Sequence, residues 1–515
     1  MSETKIIAID DDPTGSQTVH SCLLLTRWDV ETLLDALQDE SPLFFILSNT
    51  RGMDAARAAG VTRDICMNLK RALDALKAQG RAINPIVVSR SDSTLRGHYP
   101  VETDIIAEAL GPFDAHFMIP AFFEAGRFTR DSIHYLVVDD KPVPVHETEF
   151  ARDSVFGFST AYLPDYVEEK TAGSIRAGQV QRFLLDDVRG DCRDRLRELA
   201  GNVCCVVDCE TQADLNHFAE QLQAVAEEGK RFLFRSAASL LTALAKLPAQ
   251  PVAADDMACY VRHQKPGVIL IGSHVDRTSM QLAYLREHTD VVSVLVDVKQ
   301  LGAGSTLEWR EQAAVVAADT IIAQVNAAHA SGKTVAIYTS REELQFASQA
   351  ERLAFGERVS AFLTGLVHRF PATIGFLISK GGITSNDVLS DGLKLKQSRV
   401  LGQILTGCSV IRCPSDHNRY PDLPVVIFPG NVGDESALAK AYAILSAAER
   451  KRSCVNYETD NKIPDAGAPS FDRLTIKSCC SMRKPSATVA LAPPQAVWRA
   501  LSKDGRVTPA GLYSV

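Results

Sequence analysis

Short, nearly continuous apolar runs alternate along this chain with longer stretches in which apolar residues recur every three or four positions. The first half offers "KIIAI" from Lys5, "LFFILS" from Leu43, "INPIVVS" from Ile83, "HFMIP" from His116 and "CCVVDC" from Cys204 as strands. Between the second and third lies "GMDAARAAGVTRDICMNLKRALDALKAQG", where Ile65, Leu69, Leu73 and Leu76 share one helical face. Such alternation predicts an α/β fold, a mostly parallel sheet with helices on its faces. After Leu247 the pattern breaks at "PAQPVAADDMACYVRHQKPG", and a second strand series begins with "GVILIGS" and continues through "VVSVLVDV", "TVAIYTS", "TIGFLISKGG", "CSVIRC" and "PVVIFPGN". The pattern therefore predicts two α/β domains with mostly parallel sheets and a ligand cleft between them. They cover residues 1–247 and 266–450, joined by a linker over 248–265, and 451–515 read as a poorly ordered tail without a period.

Composition narrows the picture. The chain of 515 residues is 46% apolar and 23% charged, as expected of a water-soluble protein with more than one core. A net charge of −8 argues against broad nucleic-acid binding, and no apolar run approaches a membrane span, so neither partner is expected. The N-terminus runs straight from a short apolar stretch into acids, unlike a leader peptide, and a cytoplasmic location is expected. None of the 12 cysteines forms a C-x-x-C pair; Cys204, Cys205 and Cys209, with Cys408 and Cys413, read as buried thiols.

The chemistry gathers at the ends of predicted strands, the edge where open α/β sheets bind ligands. "IIAIDDDPTGSQT" stacks Asp10, Asp11 and Asp12 ahead of a Pro-Thr-Gly turn. Like charges this close call for a cation, a proton or a substrate hydroxyl. Asp10 and Asp12 also have the spacing of a haloacid-dehalogenase-type phosphatase, with Asp139 and Asp140 of "YLVVDD" as a second acid pair. The phosphatase reading therefore stands beside that of a kinase, and beside that of a binding protein without turnover.

"SRSDSTLRGHYP" supplies Asp92 as a proton acceptor and Arg90 and Arg96 as a carboxylate clamp, with Ser93 and Thr94 placed to cap the helix that follows. "PAFFEAGRFTRDSIHY" adds Glu124, Arg127, Arg130 and His134, the histidine expected to be structural. In the second half, "IGSHVDRTSMQ", "SKGGITSNDVL" and "FPGNVGDESALAK" each place a glycine turn between a strand and a helix, exposing backbone amides suited to phosphate. Gly332-Lys333-Thr334 imitates the end of a phosphate-binding loop but lies between a helix and a strand, the reverse of the working order.

Together these motifs resemble the four-carbon acid sugar kinase family. The likeness rests on "DDPTG", "DSTLRG", "PAFFEAGRFT" and "HETEFARD" in the first half and on "GSHVDRTSMQ", "GGITSNDVL" and "PGNVGDESAL" in the second, in family order from about Lys5 to Ala447. Pro13, Ser91 and Ile383 depart from the usual family residues. The resemblance implies an N-terminal domain that binds the acid sugar and a C-terminal domain that binds ATP. The implied activity is ATP-dependent phosphorylation of the terminal hydroxyl of a threonate, erythronate or 3-oxo-tetronate, with Mg2+. It implies Asp92 and Asp12 as catalytic residues, Asp11, Arg90, Arg96 and Arg127 at the acid sugar, and Ser273, Gly381, Gly382, Ile383, Thr384 and Gly430 at ATP. No metal ligand is assigned, and a homo-oligomer is compatible with this reading.

Overall fold

The computed structural model describes residues 3–302, 307–341, 344 and 349–446; the predicted tail lies outside them. Each apolar run of the first half becomes a strand: Glu3–Asp10, Leu43–Leu47, Ile83–Arg90, Ala115–Ile119 and Val203–Val207. Every residue of Leu43–Leu47, Ala115–Ile119 and Pro424–Phe428 is buried, the mark of strands covered on both faces. The periodic stretch forms the helix Ala55–Ala78, capped by Asp54, with Ile65, Leu69 and Leu76 buried. Leu73 packs against the same core from a partly buried position.

The sheets of the two halves are joined edge to edge into one 15-stranded sheet. Its order from one edge is Val292–Val296, Val335–Thr339, Val268–Ile271, Leu377–Lys380, Pro424–Phe428, Cys408–Arg412, Gln397–Leu405, Leu23–Leu25, Leu43–Leu47, Glu3–Asp10, Ile83–Arg90, Phe232–Ser236, Ala115–Ile119, Val203–Val207 and Gln181–Phe183. Pairing is parallel except around Gln397–Leu405 and Cys408–Arg412. The joint is the three-residue strand Leu23–Leu25, all buried, which pairs parallel with Leu43–Leu47 and antiparallel with Gln397–Leu405. The segment expected as a linker is packed: Met257 is buried in the second half's core, and Gln250 bonds the backbone of Gln403 in both directions.

A separate antiparallel sheet pairs Arg127–Arg130, Ile133–Val138 and Lys141–Pro144. Asp139 and Asp140 form the exposed tip of its second hairpin, both in the left-handed region, with φ of 49° and 60°. They are turn residues on a hairpin, a correction to their reading as a second acid pair at a strand end. The membrane reading needs a correction too: Gln312–Ala330, within the helix Leu307–Ala330, is long and apolar enough to cross a membrane by length and composition. Its alanines raise the apolar content. Ile321, Ile322, Val325 and Ala328 pack into the core with Val294 and Leu301, while Asp319 pairs with Arg369 at 2.6 Å.

Candidate active site

The acidic turn is built in two levels. Asp10 ends its strand in register with Leu47 and Arg90, and it is 0% exposed. One carboxylate oxygen lies 3.4 Å from Arg90 Nη1 and accepts the amide of Asp12 at 3.3 Å; the other has no partner. A Cβ on Gly15 would fall 1.6 Å from that oxygen, so the turn closes directly over Asp10 and only glycine fits. Burial pushes the Asp10 carboxyl up to about 7 against the pull of Arg90, and the charges of Asp11 and Asp12 add to it. A phosphatase nucleophile must reach a phosphate, and this carboxyl has no exposed atom.

Asp12 stands on the level above. Its Oδ1 accepts the Thr14 amide at 2.8 Å and the Thr14 hydroxyl at 2.5 Å, which caps the short turn begun by Pro13. Burial opposes ionisation, yet Arg51 and the Thr14 bonds hold the Asp12 carboxyl below its usual range. Asp11 turns inward. Its carboxylate takes Arg51 Nη2 at 2.5 Å, Arg51 Nε at 3.2 Å and the Ser91 hydroxyl at 2.9 Å. Arg51 also reaches Asp12 Oδ2 at 3.4 Å, so one guanidinium neutralises both acids.

The segment after Arg90 wraps Asp92 in donors. Its Oδ2 accepts from the Thr94 hydroxyl and, at 2.6 Å, from Arg96 Nε. Although burial works against it, the charges of Arg96 and Arg51 and these bonds hold Asp92 well below the usual carboxylate range. Thr94 thus serves Asp92 and caps no helix: the next helix is Val101–Leu110, preceded by Pro100 without a side-chain cap, a correction to the expectation. Gly97, with φ 118°, lets the loop pass Ser91 and Arg235, since a Cβ there would come within 2.6 Å of Ser91 Oγ and 2.8 Å of Arg235 Nη2. Arg96 also faces Asp153 of "HETEFARD" at 3.7 Å and lies over Phe150. His134 is buried between the Thr129 hydroxyl and the Ser93 carbonyl at 3.0 and 2.8 Å, and burial brings it down to about 4.

Among the predicted arginines, Arg90 is buried, 4% exposed, and paired with Asp10 under the site. Arg127 differs: its Nε is buried without a partner and it forms no salt bridge with a described residue. Burial lowers its pKa, with the Asp92 charge as the main opposing influence, so it stands within electrostatic reach of the loop. Glu124 is exposed, and Arg130 pairs with Glu210.

In the second half Gly272, Gly381 and Pro429 follow three neighbouring parallel strands whose last residues, Ile271, Lys380 and Phe428, are in register. A Cβ on Gly381 would come within 3.1 Å of both Ser273 Cβ and Thr384 Oγ1, and one on Gly430 within 3.0 Å of Ser273 Oγ. Ser273, Gly381, Thr384 and Gly430 therefore converge. The Ile383 side chain is 69% exposed and only its backbone belongs to the turn. Lys380, which sequence reasoning passed over, is buried beneath: its Nζ donates to the carbonyls of Pro429 and Gly430 at 2.6 and 3.1 Å. Burial brings its ammonium down to about 7. Arg277 and Gln281 brace Val432 to Asp434 through their carbonyls.

The two clusters meet at one point. A Cβ on Gly382 would lie 3.2 Å from Asp12 Oδ2, and the Ser16 hydroxyl donates to Ser409 Oγ at 3.1 Å. Asp12 thus faces a glycine-lined turn across the joint between the halves. Among the described residues no group of three or more His, Cys, Asp or Glu side chains is arranged to hold a metal ion by itself.

Residues 6–244 match the family described as a sugar-binding N-terminal domain, and residues 268–438 the one described as a nucleotide-binding C-terminal domain. The D-erythronate kinase of Heliobacterium modesticaldum (strain ATCC 51547 / Ice1) is 25% identical over 218 residues, 42% of this chain and 47% of that relative, so the match spans about half the relative's length. Two solved structures share the fold. A protein from Salmonella typhimurium LT2 has a TM-score of 0.58 at 20% identity, covering 86% of this chain and 98% of its own. A protein from Haemophilus influenzae has 0.56 at 18% identity, covering 86% and 100%. Fold and matches define a two-domain α/β protein whose first half matches a sugar-binding domain family and whose second half matches a nucleotide-binding one. The chain belongs to the four-carbon acid sugar kinase family.

Proposed function

We propose that this protein transfers the terminal phosphate of ATP to the terminal hydroxyl of a four-carbon acid sugar of the threonate, erythronate or 3-oxo-tetronate type. The observation that carries the proposal is the approach of Asp12 Oδ2 to Gly382, which sets a proton acceptor against the turn that would hold the phosphates. Phosphoryl transfer asks chiefly for positioning and charge neutralisation, so a weakly basic carboxylate that orients the hydroxyl is sufficient. Asp12 receives the hydroxyl proton. Asp92, its Oδ2 already held by Thr94 and Arg96, turns its other oxygen to the substrate hydroxyls. Asp11 and Arg51 hold Asp12 in place, and Arg90 serves the interior.

Arg127 takes the substrate carboxylate, because it has no carboxylate partner among the described residues, while Arg96 is engaged by Asp92 and Asp153. The amides of Gly382, Ile383 and Gly430 face the phosphates, with Ser273 and Thr384 hydroxyls beside them, while the Gly381 amide is held by the Phe428 carbonyl and shapes the turn. Those hydroxyls and the phosphate oxygens are hard donors of the kind magnesium takes, and the ion, when bound with the nucleotide, offsets phosphate charge.

ADP release measured over a panel of four-carbon acid stereoisomers, with Asp12→Asn alongside, tests the reading. One or more acids should stimulate release in the wild type, and the variant should lose it. A folded protein that binds ATP and an acid without turnover would establish the binding-protein reading instead.

A further inference from the structure

One cation beside the glycine turns has no counterpart in the reading so far. Arg341 follows the strand Val335–Thr339, the neighbour of Val268–Ile271 in the sheet, so its chain leaves at the same end as the Ser273 turn. Its Nη1 donates to the Ser273 carbonyl. Its Nε and Nη2 are buried and have no hydrogen-bond partner. Burial lowers its pKa, and the only influence raising it is Tyr338, so no carboxylate of a described residue compensates the charge. It also depresses His274, next to Ser273, after the larger effect of burial.

A half-buried guanidinium with two idle donors costs stability unless an anion fills the place. Among the described residues, the groups that face it are a carbonyl, the histidine and the tyrosine, none of them an anion near neutral pH. Arginine's planar fork suits phosphate oxygens, and its Nη1 bond aims the fork from the Ser273 turn.

We infer that Arg341 is a phosphate-binding residue of the nucleotide site, donating Nε and Nη2 to phosphate oxygens while Nη1 braces Ser273. The inference rests on the nucleotide reading of that turn and extends it to a strand no glycine motif marks. The residue has no part in the acid sugar half.

The test is calorimetric binding of AMP, ADP, ATP and inorganic tripolyphosphate to the full chain, as wild type, Arg341→Met and Arg341→Lys. Loss of a charged hydrogen bond should weaken ATP and tripolyphosphate roughly tenfold or more in Arg341→Met. The loss should grow from AMP to ATP, and Arg341→Lys should recover part of it. Bracing of Ser273 alone would weaken all three nucleotides alike, and that result overturns the inference, as does unchanged ATP binding in a variant with wild-type melting. Wild type that binds tripolyphosphate through Arg341 but no nucleotide overturns the nucleotide reading and the assignment of Arg341 to a nucleotide site, while its binding of phosphate stands. Wild type that binds none of the four overturns both.

Discussion

Three adjacent aspartates have three different surroundings, and their variants should separate accordingly. Asp12→Asn removes the acceptor at the glycine turn and should lower kcat by about 10²-fold or more, the usual scale for a general base. Asp10→Asn alters a carboxyl sealed under Gly15 and should change kcat less than tenfold, roughly the span of a 1.4 kcal/mol indirect effect. Steady-state ADP release from both, with circular dichroism to verify folding, checks the pair. Arg127→Met should raise KM for the acid sugar about tenfold or more and leave KM for ATP near wild type, since the lost contact is a charged hydrogen bond to one substrate; equal changes in both would place Arg127 elsewhere. Asp12 and Asp92 could be proposed from the sequence because each lies just after an apolar run, and Arg127 because it shares a polar loop with Glu124 and Arg130 after another. Arg51 lies just after one too, in "SNTRGM". Its role was hidden because pairing with Asp11 depends on Leu43–Leu47 lying beside Glu3–Asp10, a matter of strand order.

At the scale of elements, the tight turns limit substitution more than the strands do. Gly15→Ala drives a methyl into the Asp10 carboxylate, and overpacking of this kind should cost about 1–3 kcal/mol of stability. Urea unfolding would read it as a lower midpoint at unchanged slope. The strand and helix pattern was legible because parallel strands buried on both faces leave continuous apolar runs. Leu23–Leu25 was not, since three residues carry no period, yet this strand joins the halves. The hairpin holding Asp139 and Asp140 resembled a strand with an acidic end because sequence alone does not show where an antiparallel chain turns back. Thr94 fitted a cap by type and spacing, but a buried carboxylate two residues earlier was the stronger acceptor.

For the whole molecule, buried acids tie stability to pH in two directions. The Asp10 carboxyl goes from an ordinary 3.8 to about 7, and burial raises Glu102 from 4.5 to about 7 against Arg235. The folded protein keeps these protons after the unfolded chain has released them, so the stability these two acids contribute should fall as pH rises from about 4 to about 7. Asp12 and Asp92, held below their ordinary values, act oppositely and withdraw stability as pH falls below about 4. His134, brought down to about 4, works the other way over the same range, so the Asp10 contribution is read by difference: between about pH 4 and pH 7 the melting temperature of the wild type should fall relative to that of Asp10→Asn, and a constant difference would remove Asp10 as a cause. The most direct measurement of the central claim, one phosphoryl-transfer site made by both halves, is phosphorus NMR of ATP, magnesium and a four-carbon acid incubated with the enzyme. The account predicts a phosphomonoester signal split by the protons of a terminal CH2, growing about 10²-fold more slowly or not at all with Asp12→Asn. Phosphate that stays on ATP with every acid tried, or that appears only as inorganic phosphate, would contradict it.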